Sequence, residues 1–279
     1  MSYLQQAFIQ SSDQTIQIEL PSEYDEVLPN VKWGNVAGFP TVSYWLYRVL
    51  EQRENNETIN YKLGNTLIEE VGACLLGGHG IPAANGLAAY EHMKEKGTFN
   101  GSLHSEEQLL EWLAEPITLN NKTFKYRFVK QKAKYLYHAL VAITDKEVPS
   151  STGKELRNWL LDIKGIGLKT ASWIARNWLD ADDIAILDIH IYRAGLLGGF
   201  FNKNLTVERN YLELEERFVD LANAMKIRTS ELDALMWFEI QQSNTTLQLL
   251  QAKEGKKKKL TPRRVTDHSS TYTGQLALI

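Results

Sequence analysis

Lys169 is the residue whose setting most invites chemistry in this 279-residue chain. It stands two positions past Gly167, at the end of Ile163-Lys164-Gly165-Ile166-Gly167, where a helix is expected to open. An unperturbed lysine costs about 4.6 kcal/mol to deprotonate at pH 7. A helix N-terminus disfavours a nearby cation, and burial does the same, so both lower that cost and move the amine toward a nucleophile. Asp188 follows 19 residues later, in Asp188-Ile189-His190. A carboxylate there could stabilise positive charge developing on a substrate and position or deprotonate the amine. Each residue also has a plainer reading. Lys169 could be one more phosphate contact, Asp188 a helix cap or ion-pair partner, and His190 a satisfied core histidine. Amine, carboxylate and glycine turn together favour chemistry.

Two helices and a turn must position these groups. Leu156, Trp159, Leu160 and Ile163 form the apolar stripe of a first helix, and Thr152 with Glu155 reads as its capping box. The second helix repeats the period with Leu168, Ala171, Ile174, Ala175, Trp178 and Leu179 on an expected buried face. Lys169, Ser172, Trp173 and Arg176 then share the other side. Between the helices, two glycines permit a sharp turn with no Cβ to obstruct a ligand. The second helix opens with unpaired N–H groups and a partial positive charge, both suited to a phosphate. Helix, glycine hairpin and helix in this order serve to grip a nucleic-acid backbone without reading its sequence. Gly165 and Gly167, with Lys164 and His190, are the candidate backbone contacts. Trp173, one turn past Lys169, could stack on an extruded base or lie in the core, and Arg176 could line a pocket or form a surface ion pair.

The segments GIGLKTASWIARN and AILDIHI resemble the active-site region of the helix-hairpin-helix (HhH-GPD) base-excision DNA glycosylases, and most of all the 8-oxoguanine branch with its compact archaeal-type members. The close match spans residues 155–193, and weaker similarity covers about 65–240. The resemblance implies a mainly α, two-lobed helical fold, to which a small N-terminal extension could add a few strands. It also implies a bifunctional DNA glycosylase/AP lyase acting on duplex DNA that carries a damaged or modified base. In that family the lysine after the hairpin attacks the sugar and the aspartate of the D-x-H motif assists, which makes Lys169 and Asp188 the expected catalytic pair. Backbone carbonyls matching Leu161, Ile163 and Ile166 would bind a monovalent cation that bridges to phosphate. A loop near 76–82 would wedge into the duplex, with His79 and Gly78 as the candidates, or serve as an ordinary helix–helix turn. No cofactor is required under this reading.

The remaining chain fits around that centre. Cys74 is the single cysteine, which excludes an internal disulfide and the four-cysteine iron–sulfur cluster of some relatives. A formal net charge of −3 argues against coating DNA by bulk electrostatics, so any grip must come from a local basic surface. Neither a membrane-spanning apolar run nor a secretory leader is legible, and a cytoplasmic, nucleoid-associated monomer is expected. Residues 1–60 read as an N-terminal extension with a strand at Ile16-Gln17-Ile18-Glu19-Leu20 and a helix over 41–53. Residues 61–243 read as the glycosylase core, with the helix-hairpin-helix unit at about 154–179. Within it, two helices flank the breaker-rich stretch 76–82, a capped helix starts after Ser105, and a helix mixing basic and aromatic residues is expected over 124–143. Residues 244–279 read as a basic, disordered tail. It ends in Gln275-Leu276-Ala277-Leu278-Ile279, which resembles the bacterial sliding-clamp-binding peptide.

Three readings stay open at this level. The chain could excise oxidised guanine, excise another modified base (including one from modified phage DNA), or bind DNA through its hairpin without catalysis.

Overall fold

The computed structural model describes residues 3–11, 14–55, 62–78, 80–242 and 249. His79, and nearly all of 243–279 with the clamp-like pentapeptide, lie outside the described residues. The chain opens with strands β1 (Gln5–Gln10), β2 (Thr15–Leu20), β3 (Glu26–Leu28) and β4 (Val31–Lys32). Helices α1 (Val42–Glu54), α2 (Leu67–Leu76), α3 (Ala83–Glu95) and α4 (Glu106–Ala114) follow, then a hairpin of β5 (Pro116–Leu119) and β6 (Lys122–Lys125). Helices α5 (Val129–Asp145), α6 (Gly153–Leu160), α7 (Leu168–Leu179), α8 (Ile189–Gly198), α9 (Val207–Ala224) and α10 (Thr229–Gln242) complete it. The fold is mainly helical, as the resemblance implies, and its sheets are all two-stranded antiparallel pairs among the described residues. No helix among them is long and apolar enough to cross a membrane.

The chain forms two compact units, which do not follow the linear division into 1–60 and 61–243. One unit joins the described residues of Met1–Asn60 to those from Asp182 onward, and the other comprises those of Tyr61–Ala181. The physical reason lies in what the first sixty residues contact. Tyr44 donates its hydroxyl to Glu239 at 2.7 Å, Arg48 pairs with the same carboxylate at 2.5 Å, and Arg53 reaches Glu231. These bonds tie α1 to α10. The β1–β2 hairpin turns Ala7, Ile9 and Leu20 inward, and Gln5 locks it by donating to Pro21 O and Gly34 O while accepting from Val36 N. The extension is therefore built into the same compact unit as Asp188.

In the other unit, α7 packs against both α6 and α2, and α5 against both α2 and α4. The basic helix expected from residue 124 begins only at Val129, because 116–125 fold as a hairpin. Asn120 and Asn121 both adopt positive φ (50° and 59°), which makes the two-residue turn that this hairpin needs.

Candidate active site

The sequence of the hairpin dictates its shape. Thr152 caps α6 by accepting the Glu155 amide hydrogen at 3.1 Å, and the turn closes where Ile166 N donates to Ile163 O at 3.1 Å. The buried side chains of Ile163 and Ile166 anchor the turn, leaving Lys164, Gly165 and Gly167 exposed. Gly165 has φ +97°, and a Cβ there would meet the Tyr135 ring at 2.3 Å, so the fold itself demands glycine. Gly167 differs. Its φ of −98° and ψ of 175° suit any residue, and a Cβ would find nothing within 4 Å. Nothing among the described residues requires a bare backbone at this point, where α7 begins without a side-chain cap. Lys169 sits half-buried in the first turn that follows.

The polar side expected for α7 is not exposed. Ser172 and Trp173 have no exposed surface and Arg176 is 5% exposed, whereas Leu168, Trp178 and Leu179 are only half-buried. With α6 and α2 packed against it, α7 is covered on more than one side, which a single stripe of sequence does not reveal. The Trp173 ring lies in the core near the buried Glu70 of α2, and the Arg176 guanidinium lies 6.0 Å from its centroid. Trp173, with no exposed surface, takes the core reading weighed for it, and Arg176 is buried beside it. Glu70 accepts the amide hydrogens of Leu63 and Gly64 at 2.6 and 2.8 Å, and burial raises its pKa against those bonds.

Asp188 fulfils its plainer reading without losing the sharper one. Its Oδ1 accepts the amide hydrogens of His190 (2.8 Å) and Ile191 (3.0 Å), capping α8, and the residue is buried at 6% exposure. Oδ2 accepts no hydrogen bond among the described residues. His190 is half-buried in the first turn of α8.

Sequence reasoning missed one cluster. The loop after α2 is held by the segment leading into α5. Tyr126 donates to Leu76 O at 2.5 Å, Lys132 Nζ to Leu75 O and Gly77 O at 2.6 and 2.9 Å, and Arg127 to Gly80 O at 3.2 Å. Burial draws the Lys132 pKa down to about 8, while its two carbonyl bonds act in the opposite direction. Phe128 sits beside this loop at φ +63°, 40% exposed, under the Arg127 guanidinium at 4.6 Å. A left-handed phenylalanine is strained, and the sequence carries no signal for it.

A glycine hairpin opening an uncapped helix with a lysine in its first turn, together with a buried aspartate capping a following helix, defines a helix-hairpin-helix protein of the base-excision class. A family model described as 8-oxoguanine DNA glycosylase matches residues 50–227. The chain belongs to that family. An 8-oxoguanine DNA glycosylase/AP lyase from Saccharolobus islandicus is 33% identical over 160 residues, which cover 51% of this chain and 76% of the relative. One from Fusobacterium nucleatum is 32% identical over 178 residues, covering 61% and 77%. Among solved structures, Tm1821, the 8-oxoguanine DNA glycosylase of Thermotoga maritima, is 23% identical with a TM-score of 0.49, covering 72% of this chain and 97% of that one.

Proposed function

We propose that this protein is a bifunctional DNA glycosylase/AP lyase that removes 8-oxoguanine from duplex DNA. The observation that carries the reading is Lys169, half-buried in the first turn of an uncapped helix directly after a hairpin whose Gly167 is bare without structural need. The hairpin amides at Gly165 and Gly167, with Lys164 and His190, would hold the phosphates flanking the lesion. The lesion nucleotide would be rotated out of the stack, since its sugar is not open to attack inside the duplex. As the bond from C1′ to the base breaks, positive charge builds on the sugar, and Oδ2 of Asp188 is the oxygen left to stabilise it. The neutral amine of Lys169 adds to C1′, and ring opening gives an imine. Loss of a C2′ proton then expels the 3′ phosphate by β-elimination.

The turn also suits a monovalent cation, as a structural ion and not a redox group. Among the described residues the carbonyls of Leu161 and Ile166 accept no hydrogen bond, and that of Ile163 accepts one and keeps a lone pair. Neutral oxygens of this kind match a hard cation that would bridge to phosphate. No further cofactor enters the proposal. The protein would act as a monomer in the cytoplasm, associated with the nucleoid. Residues 275–279 would dock in the groove of a sliding clamp, and a pull-down in which their deletion leaves clamp binding unchanged would refute that docking.

Borohydride trapping on a duplex containing 8-oxoguanine tests the central reading. The expected result is a covalent adduct with the parent protein that Lys169→Gln abolishes. Trapping on a different lesion alone would redirect the substrate, and no adduct with any lesion would reduce the chain to a DNA-binding protein.

A further inference from the structure

We infer that Tyr211, Glu215 and Asp233 are positioning residues that set the place of Asp188 through the backbone leading into it. The inference rests on the catalytic reading of Asp188 given above. Ile184, Ala185, Ile186 and Leu187 belong to neither a helix nor a strand among the described residues and are at most 2% exposed. A buried segment outside helix and sheet has no regular ladder to satisfy its amides and carbonyls. Here three side chains take over that task, one for each successive amide. Glu215 Oε1 accepts from Ala185 N at 3.3 Å, Asp233 Oδ2 from Ile186 N at 3.0 Å, and the Tyr211 hydroxyl from Leu187 N at 3.1 Å. The same hydroxyl donates to Ala185 O at 3.1 Å, so it grips the segment at two points.

These side chains come from α9 and α10, far along the chain from the segment they hold. All three are buried, Glu215 and Asp233 at 2% and 1% exposure. Burying carboxylates to serve amides is a costly way to satisfy a backbone, and it returns a fixed position at each residue in turn. The last amide held belongs to Leu187, immediately before Asp188. Just past it, the Asp188 carboxylate caps α8, which packs on α10. Helix α9 departs from helical geometry at Asn210 (φ −127°, ψ 32°), the residue before Tyr211, and Asn210 Oδ1 accepts the Thr206 amide hydrogen at 3.2 Å. That irregularity sits where the hydroxyl must be aimed. A reacting group displaced by 1 Å can lose on the order of 100-fold in rate, so such a frame matters to chemistry as well as to stability.

Tyr211→Phe removes both hydroxyl bonds and keeps the ring. Single-turnover excision from an 8-oxoguanine duplex, measured well below the melting temperature, is expected to slow on the order of 10- to 100-fold. Affinity for a duplex holding a stable abasic analogue is expected to stay within about twofold, since no residue in contact with DNA has changed. Asp233→Asn keeps a weaker acceptor for Ile186 N and is expected to slow excision less, and it carries the test should Tyr211→Phe not fold. A lowered melting temperature with an unchanged excision rate would overturn the inference, because the bonds would then serve the fold alone. A parent protein inactive on every lesion would instead remove the catalytic reading, and the positioning role with it.

Discussion

Asp188 accepts the amide hydrogen of His190 through Oδ1 at 2.8 Å and takes that of Ile191 on the same oxygen. Capping and charge are therefore separable in this residue. Asp188→Asn retains a carbonyl oxygen for both amides, so thermal stability should barely change while excision falls on the order of 100- to 1,000-fold. Asp188→Ala loses the cap as well and should cost about 1 kcal/mol by chemical denaturation. Equal loss of stability in the two variants would contradict this separation.

The hairpin glycines should respond differently to the same substitution. Gly165→Ala forces a Cβ onto the Tyr135 ring at a φ of +97°, and a loss of about 2 kcal/mol or more is expected. Gly167→Ala meets open space at an ordinary φ and should stay within about 0.5 kcal/mol of the parent. Its effect should appear instead in duplex affinity, because the methyl group would stand where a phosphate approaches. Fluorescence anisotropy beside a thermal melt separates the two.

Lys132 provides a control on the trapping chemistry and a pH signature of its own. Its pKa is drawn down to about 8, yet its hydrogens are committed to Leu75 O and Gly77 O, so Lys132→Met should still form the borohydride adduct. Between pH 8 and about 10.4 the unfolded chain holds a proton on this lysine that the folded chain has released. Unfolding then takes up a proton, and stability rises with pH across that window. The rise should be at most about 3 kcal/mol. It should be absent from Lys132→Met and so appear in the difference between parent and variant in denaturant titrations run at several pH values.

Phe128 carries strain that a stability-driven sequence would relieve. Phe128→Gly should leave the melting temperature unchanged or raise it, since relief of the left-handed conformation, about 1 kcal/mol, offsets the lost contact with Arg127. If the exposed ring is there to enter a base stack, the same variant should weaken binding to lesion duplex about tenfold. A variant both more stable and equally tight would assign the ring no part in DNA recognition.

The sequence by itself determined whatever depends on neighbours within about one helical turn. The α6–turn–α7 unit, the Thr152 and Ser105 caps and the break after α2 all follow from such local bonds. Lys169 and Asp188 were legible for the same reason, as a first-turn amine and an N-cap carboxylate in a spacing that the family shares. Tertiary structure decided which faces are covered. Periodicity identifies one apolar stripe, but α7 meets both α6 and α2, and so Trp173 and Arg176 are core residues. Only folding could join the first sixty residues to α10, or bring Tyr211, Glu215 and Asp233 to a segment 24 to 47 positions away. Contacts at such separations depend on how helices pack, and local spacing holds no record of that.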